Sequence, residues 1–199
     1  MMCANETPSD NTRINDKETL ENLIDKTNIS DNQSSDYYQY QLNTNWTFWV
    51  HLPHDTNWTI ESYKKVYNID YIEEAIGLVE QLEERLVVNC MLFLMRQDIL
   101  PMWEDPANLN GGCISYKIAN HEAYLLWKSM CYAMVGETLT DNDELQAKIM
   151  GLTISPKKNF CIIKIWVNAC DESVQDPKSI NNIDGVLGNY EGIFKKHIQ

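Results

Sequence analysis

Residues 160–167 read FCIIKIWV, the most apolar strand candidate of the chain. Its short length and its β-branched and aromatic content favour a buried strand, and the turn residues PKKN precede it at 156–159. The stretch GLTIS, at 151–155, lies before that turn and predicts a second strand. These two strands belong to the core of the predicted fold.

Another strand candidate, WTFWVHL at 46–52, carries bulky side chains on both faces. Its even-numbered positions are all apolar, and its odd-numbered positions include Trp49 and His51. Because successive side chains of a strand point to opposite faces, one face is expected to pack on helices and the other to be partly lined with aromatic rings. Further strand candidates lie at 62–67 and 113–118, and GIFKKHIQ is predicted to form the last strand.

Two stretches show helical spacing of apolar residues. The first runs from Ile72 to Leu86, with Asp70 as its predicted N-cap, and the second begins at Asn120 and ends at Gly136. Between them, LVVNCMLFLMR at 86–96 is apolar and lacks helix caps, so it is interpreted as a buried strand.

Strands and helices alternate without a strict βαβ rhythm, which predicts an α+β fold. The expected architecture is a single domain with a curved antiparallel β-sheet and helices packed on its convex face. Residues 1–36 are polar and contain few apolar residues, so they are predicted to form a disordered tail before a domain spanning 37–199.

The composition argues against several classes of protein. A net charge of −13, from 29 acids and 16 bases, disfavours a protein that coats nucleic acid. No motif of a hydrolase, an NTPase or a dinucleotide-binding enzyme is present, so a non-enzymatic protein without a cofactor is expected. The six cysteines lack zinc-ligand spacing and are interpreted as reduced core thiols, and no metal site is predicted. With no signal peptide and no membrane-spanning run, a cytoplasmic monomer is expected.

Two of the six tryptophans lie in polar loops, in contrast to Trp127 on an apolar helix stripe. Trp58 stands in TNWT and Trp103 in PMWEDP, at 101–106. A loop indole usually packs back onto its own core, but two facing indoles would also form a slot for a flat aromatic ligand. Glu104 would suit a ligand edge that carries two N–H groups, as guanine does, and a cationic ring would strengthen the stacking.

Several motifs then resemble the mRNA cap-binding translation initiation factor 4E family. They are WTFW at 46–49, NW at 57–58, PMWED at 101–105, GG at 111–112, W-x8-GE at 127–137 and IxIW at 163–166. The resemblance implies a cap-binding slot on the concave face of a cupped sheet. In that slot Trp58 and Trp103 would sandwich 7-methylguanine, Glu104 would accept hydrogen bonds from the base, and Trp166 would lie against the methyl group.

The chain departs from the family where the phosphates of the cap are held. Cys113 stands where the family usually has an arginine, and Ile162 stands at the position of another base. The predicted phosphate contacts are the remaining lysines nearby, Lys157, Lys158 and Lys164. The alternative is that these lysines are merely solvated, since exposed bases are common.

The partner-binding surface that the resemblance implies on the convex face is also changed. The family binds a helical Tyr-x4-Leu-hydrophobic peptide of scaffold factor 4G or of repressors there. The corresponding positions are Tyr40, Gln41, Ile76, Lys128 and Tyr132, whereas Ile72 remains apolar. These replacements predict a 4G-like scaffold or a repressor with a non-standard motif as the partner.

Two functions follow from the resemblance. The first is binding of the 7-methylguanosine 5′ cap of mRNA and its recruitment for translation initiation through a scaffold partner. The second is a protein-interaction module with weakened cap binding that acts as a translational repressor or decoy. The presence of Trp58, Trp103, Glu104 and Trp166 favours the first.

Overall fold

The computed structural model describes residues 10–31 and 40–197. Its sheet has seven strands, all paired antiparallel, in the order β2-β1-β3-β5-β6-β4-β7. The strands are β1 (Gln41–His51), β2 (Tyr63–Tyr71), β3 (Met91–Arg96), β4 (Gly112–Ala119), β5 (Ile149–Pro156), β6 (Phe160–Val167) and β7 (Gly192–Lys196). The predicted α+β fold with an antiparallel sheet is confirmed.

Helices cover one face of this sheet. They are α1 (Asp10–Asp31), α2 (Ile72–Gln81), α3 (Glu84–Asn89), α4 (Asn120–Val135), α5 (Asp143–Lys148) and α6 (Glu172–Gln175). Short 3₁₀ turns lie at Ile60–Ser62, Pro177–Ser179, Ile183–Gly185 and Leu187–Asn189. We call the helix-covered face the convex face and the opposite face the concave face.

Strand alternation divides the apolar side chains between the two faces. In β1, Trp46, Phe48 and Val50 are buried in the main core beneath the helices, as the sequence predicts. Trp49 points the other way and packs against a smaller apolar cluster on the concave face. The sheet therefore buries its largest core on one side and keeps a second, partly open apolar surface on the other.

Part of the predicted disordered tail is helical. Leu20 and Leu23 of α1 are buried in the main core, and the buried Asp16 carboxylate accepts a hydrogen bond of 2.8 Å from Arg85 Nε. The prediction of disorder is wrong for α1, because a few apolar residues three positions apart suffice when a neighbouring surface covers them. The predicted boundary between tail and domain, at 36 and 37, lies outside the described residues.

The first predicted helix is broken in two. Strand β2 continues through Tyr71, which becomes the N-cap of α2 in place of the predicted Asp70, and Glu74 accepts from both backbone N–H groups at 2.7 and 3.0 Å. The chain is extended at Leu82 before α3 begins. Both Leu82 and Leu86 are still buried, so the apolar spacing is preserved although the helix is not continuous.

Two further predictions need correction. The stretch at 86–96 is a strand only from Met91 onward, because its first residues complete α3. Ala119, not Asn120, is the N-cap of α4, since β4 remains paired with β6 through Ala119.

The cysteines among the described residues are all free thiols. Cys90, Cys113, Cys131 and Cys161 are buried, and Cys170 is partly exposed, which agrees with the prediction of reduced thiols. Across 10–31 and 40–197, the helices are too short or too polar to cross a membrane.

Candidate functional site on the concave face

The floor of the concave face is an apolar cluster. Phe93, Met95, Met150 and Trp166 form its buried part, and partly exposed side chains of neighbouring loops and strands surround them. The indole Nε1 of Trp166 donates a 2.7 Å hydrogen bond to Thr153 Oγ1. This bond holds the Trp166 ring in one orientation while its apolar surface faces the cluster.

Trp58 forms one wall of the site. Its ring stacks on the imidazole of His51, with a centroid separation of 4.3 Å and an angle of 3° between the planes. His51 Nε2 is 2.9 Å from the carbonyl oxygen of Asn57, which ties the loop to β1. Because Trp58 remains 55% exposed, one face of its indole is supported and the rest is available to a ligand.

The loop that carries Trp103 and Glu104 is held from within by the buried side chains of Asp105 and Asn108. The Asp105 carboxylate accepts hydrogen bonds of 2.9 and 2.8 Å from the backbone N–H groups of Leu100 and Ala107. Asn108 Nδ2 donates to two further loop carbonyls at 3.1 and 2.8 Å. These contacts fix the loop so that Trp103, 40% exposed, and the exposed Glu104 project outward.

Tyr63 connects the support of Trp58 to the floor. Its ring meets His51 edge-on at 5.1 Å and Phe93 at 5.4 Å. Burial raises the pKa of Tyr63, and the negative charge of Glu104 raises it further. The ring of Tyr63 therefore joins His51, which supports Trp58, to Phe93 of the floor.

Sequence reasoning did not identify His51 or Tyr63 as site residues. Strand alternation predicts that His51 shares a face with Trp49, and this was the one feature of the sequence that indicated a place for His51 in the site. Tyr63 has no comparable signal, since its role depends on contacts with three separate segments of the chain.

The three predicted phosphate lysines are not equally close to the floor. Lys164 is half-buried and lies on the same face as Trp166, two residues away along β6. Lys157 and Lys158 are exposed in the turn that precedes Phe160, the first residue of β6. At about 3.3 Å per residue, this turn is roughly 20 Å or more along the strand from Trp166.

His197, just beyond β7, is an additional member of the site. Its ring is 4.9 Å from that of Trp166, and its Nδ1 is 2.7 Å from the carbonyl oxygen of Asn108. Burial lowers the pKa of His197, the Asn108 carbonyl opposes this shift, and the charge of Lys164 adds to it. The contact with Asn108 therefore joins the end of the sheet to the loop of Trp103.

The predicted partner-binding residues lie together on the convex side. Tyr40, Ile72 and Ile76 are 65%, 42% and 47% exposed, and Gln41 is exposed at the start of β1. The N–H of Ile72 donates to the Tyr40 carbonyl at 2.8 Å, which joins α2 to β1.

Next to this exposed apolar group, α2 and α4 share a polar contact. Lys128 Nζ and the Tyr132 hydroxyl both donate to the Glu80 carboxylate, at 2.8 and 2.5 Å. The prediction did not include Glu80 or the 66% exposed Leu125, which lies on the same helix as Lys128.

Comparison with known proteins places the chain in a family. The model of the family described as eukaryotic initiation factor 4E matches residues 41–196. The chain is 29% identical to eukaryotic translation initiation factor 4E of Candida glabrata over 154 residues, which cover 74% of this chain and 71% of the relative. It is 31% identical to the isoform 4E factor of Capsicum annuum over 145 residues, with 68% and 69% covered.

The fold is shared with a solved structure of this type. The crystal structure of schistosome eIF4E complexed with m7GpppG and 4E-BP matches with a TM-score of 0.62 and 22% identity, covering 69% of this chain and 76% of that one. Since the family match includes every described strand of the sheet and the loops of Trp58 and Trp103, the chain belongs to the eukaryotic initiation factor 4E family.

Proposed function

We propose that this protein binds the 7-methylguanosine 5′ cap of mRNA on its concave face and recruits the mRNA for translation initiation. The observation that carries the proposal is the pair of exposed indoles, Trp58 and Trp103, on two loops beside the apolar floor. Trp58 stacks on His51, and the loop of Trp103 packs against the floor cluster through Ile99 and Ala107. The comparison with schistosome eIF4E, whose structure contains m7GpppG, supports it.

In this proposal the methylated base lies between Trp58 and Trp103. Stacking on an aromatic side chain is worth about 1 to 3 kcal/mol per base, and a cationic ring gains further attraction from the indole faces. Glu104 accepts hydrogen bonds from the N1–H and the exocyclic amine of the base, the backbone N–H of Trp103 donates to O6, and Trp166 lies against the methyl group. Methylation gives the base a positive charge, so it strengthens both the stacking and the contact with the carboxylate.

Lys157, Lys158 and Lys164 are the proposed phosphate contacts from β6 and its turn. Their placement suggests different tasks. Lys164, near Trp166, would contact phosphates close to the base, whereas the two turn lysines would contact a more distant part of the capped RNA.

The proposed partner is a 4G-like scaffold protein or a repressor with a non-standard motif, bound over Tyr40, Gln41, Ile72 and Ile76. In the schistosome structure the relative is complexed with 4E-BP, which supports a protein partner. The contact of Lys128 and Tyr132 with Glu80 places an ion pair beside the apolar residues, so a purely apolar helix face would remove that pair from water without offering it new hydrogen bonds.

A peptide titration tests the partner. A peptide with the Tyr-x4-Leu-hydrophobic motif is expected to bind more weakly than micromolar, and replacing Lys128 and Tyr132 by leucine is expected to strengthen its binding. Micromolar or tighter binding to the unaltered protein would contradict the proposed change of partner.

The protein is proposed to act as a cytoplasmic, non-enzymatic monomer, in line with its membership of a family of initiation factors. Its cap binding is tested by titrating tryptophan fluorescence with 7-methyl-GTP and, as the matched ligand, GTP. Quenching is expected at much lower concentrations of the methylated nucleotide. Equal quenching by both ligands, or none by either, would remove the basis for cap recognition and leave the repressor or decoy function as the alternative.

A further inference from the structure

The basic residues of this acidic protein differ in whether they have acidic partners. Arg85, Arg96, Lys128 and Lys148 each form an ion pair with a carboxylate at 2.7 to 3.2 Å. Like Lys157, Lys158 and Lys196, the lysines Lys164 and Lys195 have no carboxylate within 4.0 Å in the described ranges 10–31 and 40–197, so the face on which they lie is what distinguishes them. In a chain of net charge −13, two unpaired lysines near one another leave a local positive potential.

The register of the sheet places Lys195 on the same face as the floor of the site. Cys113 of β4 is the direct partner of Trp166 on β6 and of Lys195 on β7. Directly opposed residues in antiparallel strands point to the same face. Trp166, Cys113 and Lys195 therefore form a row across three strands, in which Lys195 is about 10 Å from Trp166 at the level of the backbone.

Lys164 lies at the edge of the same row. Its partner on β4 is Ser115, two residues from Cys113 and therefore on the same face. The small Cys113 side chain is buried, with its sulfur 3.5 Å from the Ser115 hydroxyl. Two short side chains thus separate the two lysines, and neither carries a charge that would compensate them.

His197 lies beside this row, two residues after Lys195. Its ring packs against Trp166 and its Nδ1 is 2.7 Å from the Asn108 carbonyl oxygen, so it is fixed in place. The residues that share this face with Cys113 therefore include two lysines, a histidine and a tryptophan. An anion bound there would meet charge-assisted donors and no acidic side chain of the row.

We propose that Lys195, acting with Lys164, binds the phosphates of the capped nucleotide. This inference rests on the proposed cap-binding function and deepens it, because it assigns the phosphate site to a residue of β7. The row begins at Trp166, the proposed contact of the methylated base, and ends at Lys195. A ligand that reaches both is a base that carries a chain of phosphates. Cys113 would thus face the phosphates without binding them, and the positive charge would come from Lys195 on the adjacent strand β7.

The test compares ligands that differ only in their phosphates. The affinities of 7-methyl-GTP and of 7-methylguanosine are measured for the unaltered protein and for Lys195→Ala. The variant is expected to bind 7-methyl-GTP about five- to tenfold more weakly and to bind the nucleoside unchanged, because one ammonium contact is lost. Lys195→Arg is expected to keep the affinity of the unaltered protein.

Lys196→Ala is the matched control. Lys196 is equally exposed on the same strand, but it is paired with Gly112 and points to the opposite face. Equal effects of Lys195→Ala and Lys196→Ala, or a loss in Lys195→Arg as large as in Lys195→Ala, would overturn the assignment. If the unaltered protein bound neither ligand, the proposed cap binding itself would be contradicted. Binding of the nucleoside without any gain from the phosphates would contradict the phosphate site alone.

Discussion

The tryptophans of the convex and concave sides of the sheet differ in what surrounds them. Trp46 and Trp127 are 0% exposed, inside a continuous core formed by the sheet and its helices. Trp58 and Trp103 are 55% and 40% exposed on loops at the concave side, each on a loop held by polar contacts. The same residue type stabilises the fold in one place and is left accessible in the other, because the neighbours decide how much of the ring is covered.

The largest effect is expected from the convex side. Trp127→Ala removes a fully buried indole, so the free energy of unfolding should fall by about 3 to 5 kcal/mol in denaturant titrations. Leu125→Ala on the same helix is the control, and its effect should stay within about 0.5 kcal/mol because Leu125 is exposed. Similar effects of the two substitutions would contradict the assignment of Trp127 to the core.

Asp105 and Glu104 are neighbours in one loop on the concave side but are assigned different roles. Asp105 supports the loop from within, and Glu104 is the proposed contact of the ligand. Asp105→Ala leaves two backbone N–H groups of the loop without their acceptor and should lower the free energy of unfolding by about 2 to 3 kcal/mol.

Glu104→Ala is expected to leave that free energy unchanged, to weaken the binding of 7-methyl-GTP and to reduce its preference over GTP, since only the stacking part of the preference remains. Unfolding curves and fluorescence titrations of both variants check the contrast. A stable Asp105→Ala protein with normal affinity would show that the loop does not need its buried carboxylate.

Trp58→Ala tests whether the exposed indole contributes to binding. Loss of one stacking wall should weaken 7-methyl-GTP binding by about 1 to 3 kcal/mol, with little change in the unfolding midpoint. Trp58→Phe, which keeps an aromatic face, should recover most of the affinity. Unchanged affinity of the alanine variant in calorimetric titration would assign Trp58 to the support of His51 alone.

The smallest effect is expected from His197. Because its pKa is lowered in the folded protein, the unfolded chain takes up a proton at higher pH than the folded one. The resulting contribution to stability is complete above the ordinary pKa of 6.5 and is lost as the pH falls through the lowered value. His197→Gln should therefore flatten the decline in stability between about pH 7.5 and about pH 5, as measured by denaturant unfolding. An identical decline in both proteins would contradict the assignment.

The elements that the sequence predicted well are those whose signal is local and long enough. FCIIKIWV corresponds to β6 over its whole length, and GLTIS lies within β5. The run at 86–96 was ambiguous because a short apolar stretch suits a helix or a strand, and only the position of the main core makes its first residues helical. Helix α1 was missed because its few apolar residues become buried only when it packs against α3, β2 and α2.

The residues of the candidate site also differ in whether the sequence indicated them. Trp58, Trp103, Glu104 and Trp166 were recognised by residue type, loop context and their resemblance to a family. Tyr63 and His197 were not, since their contacts with Phe93 and Trp166 join segments that are distant in sequence. His51 had strand alternation as its one signal, and its stacking on Trp58 depends on the path of the loop between them. The proposed phosphate site shows the difference most clearly, because Cys113 predicts a missing charge and the register of β4 and β7 places Lys195 beside it.

The sequence alone determined which strands alternate between two apolar faces, which loops carry indoles, and that the chain has the motifs of the 4E family. These properties depend on residue type and spacing, which act over a few positions. The tertiary structure decided which indoles stay exposed, which polar groups hold their loops, and which lysines share a face without an acidic partner. Those properties depend on strand pairing and packing, which bring together side chains that are distant in sequence.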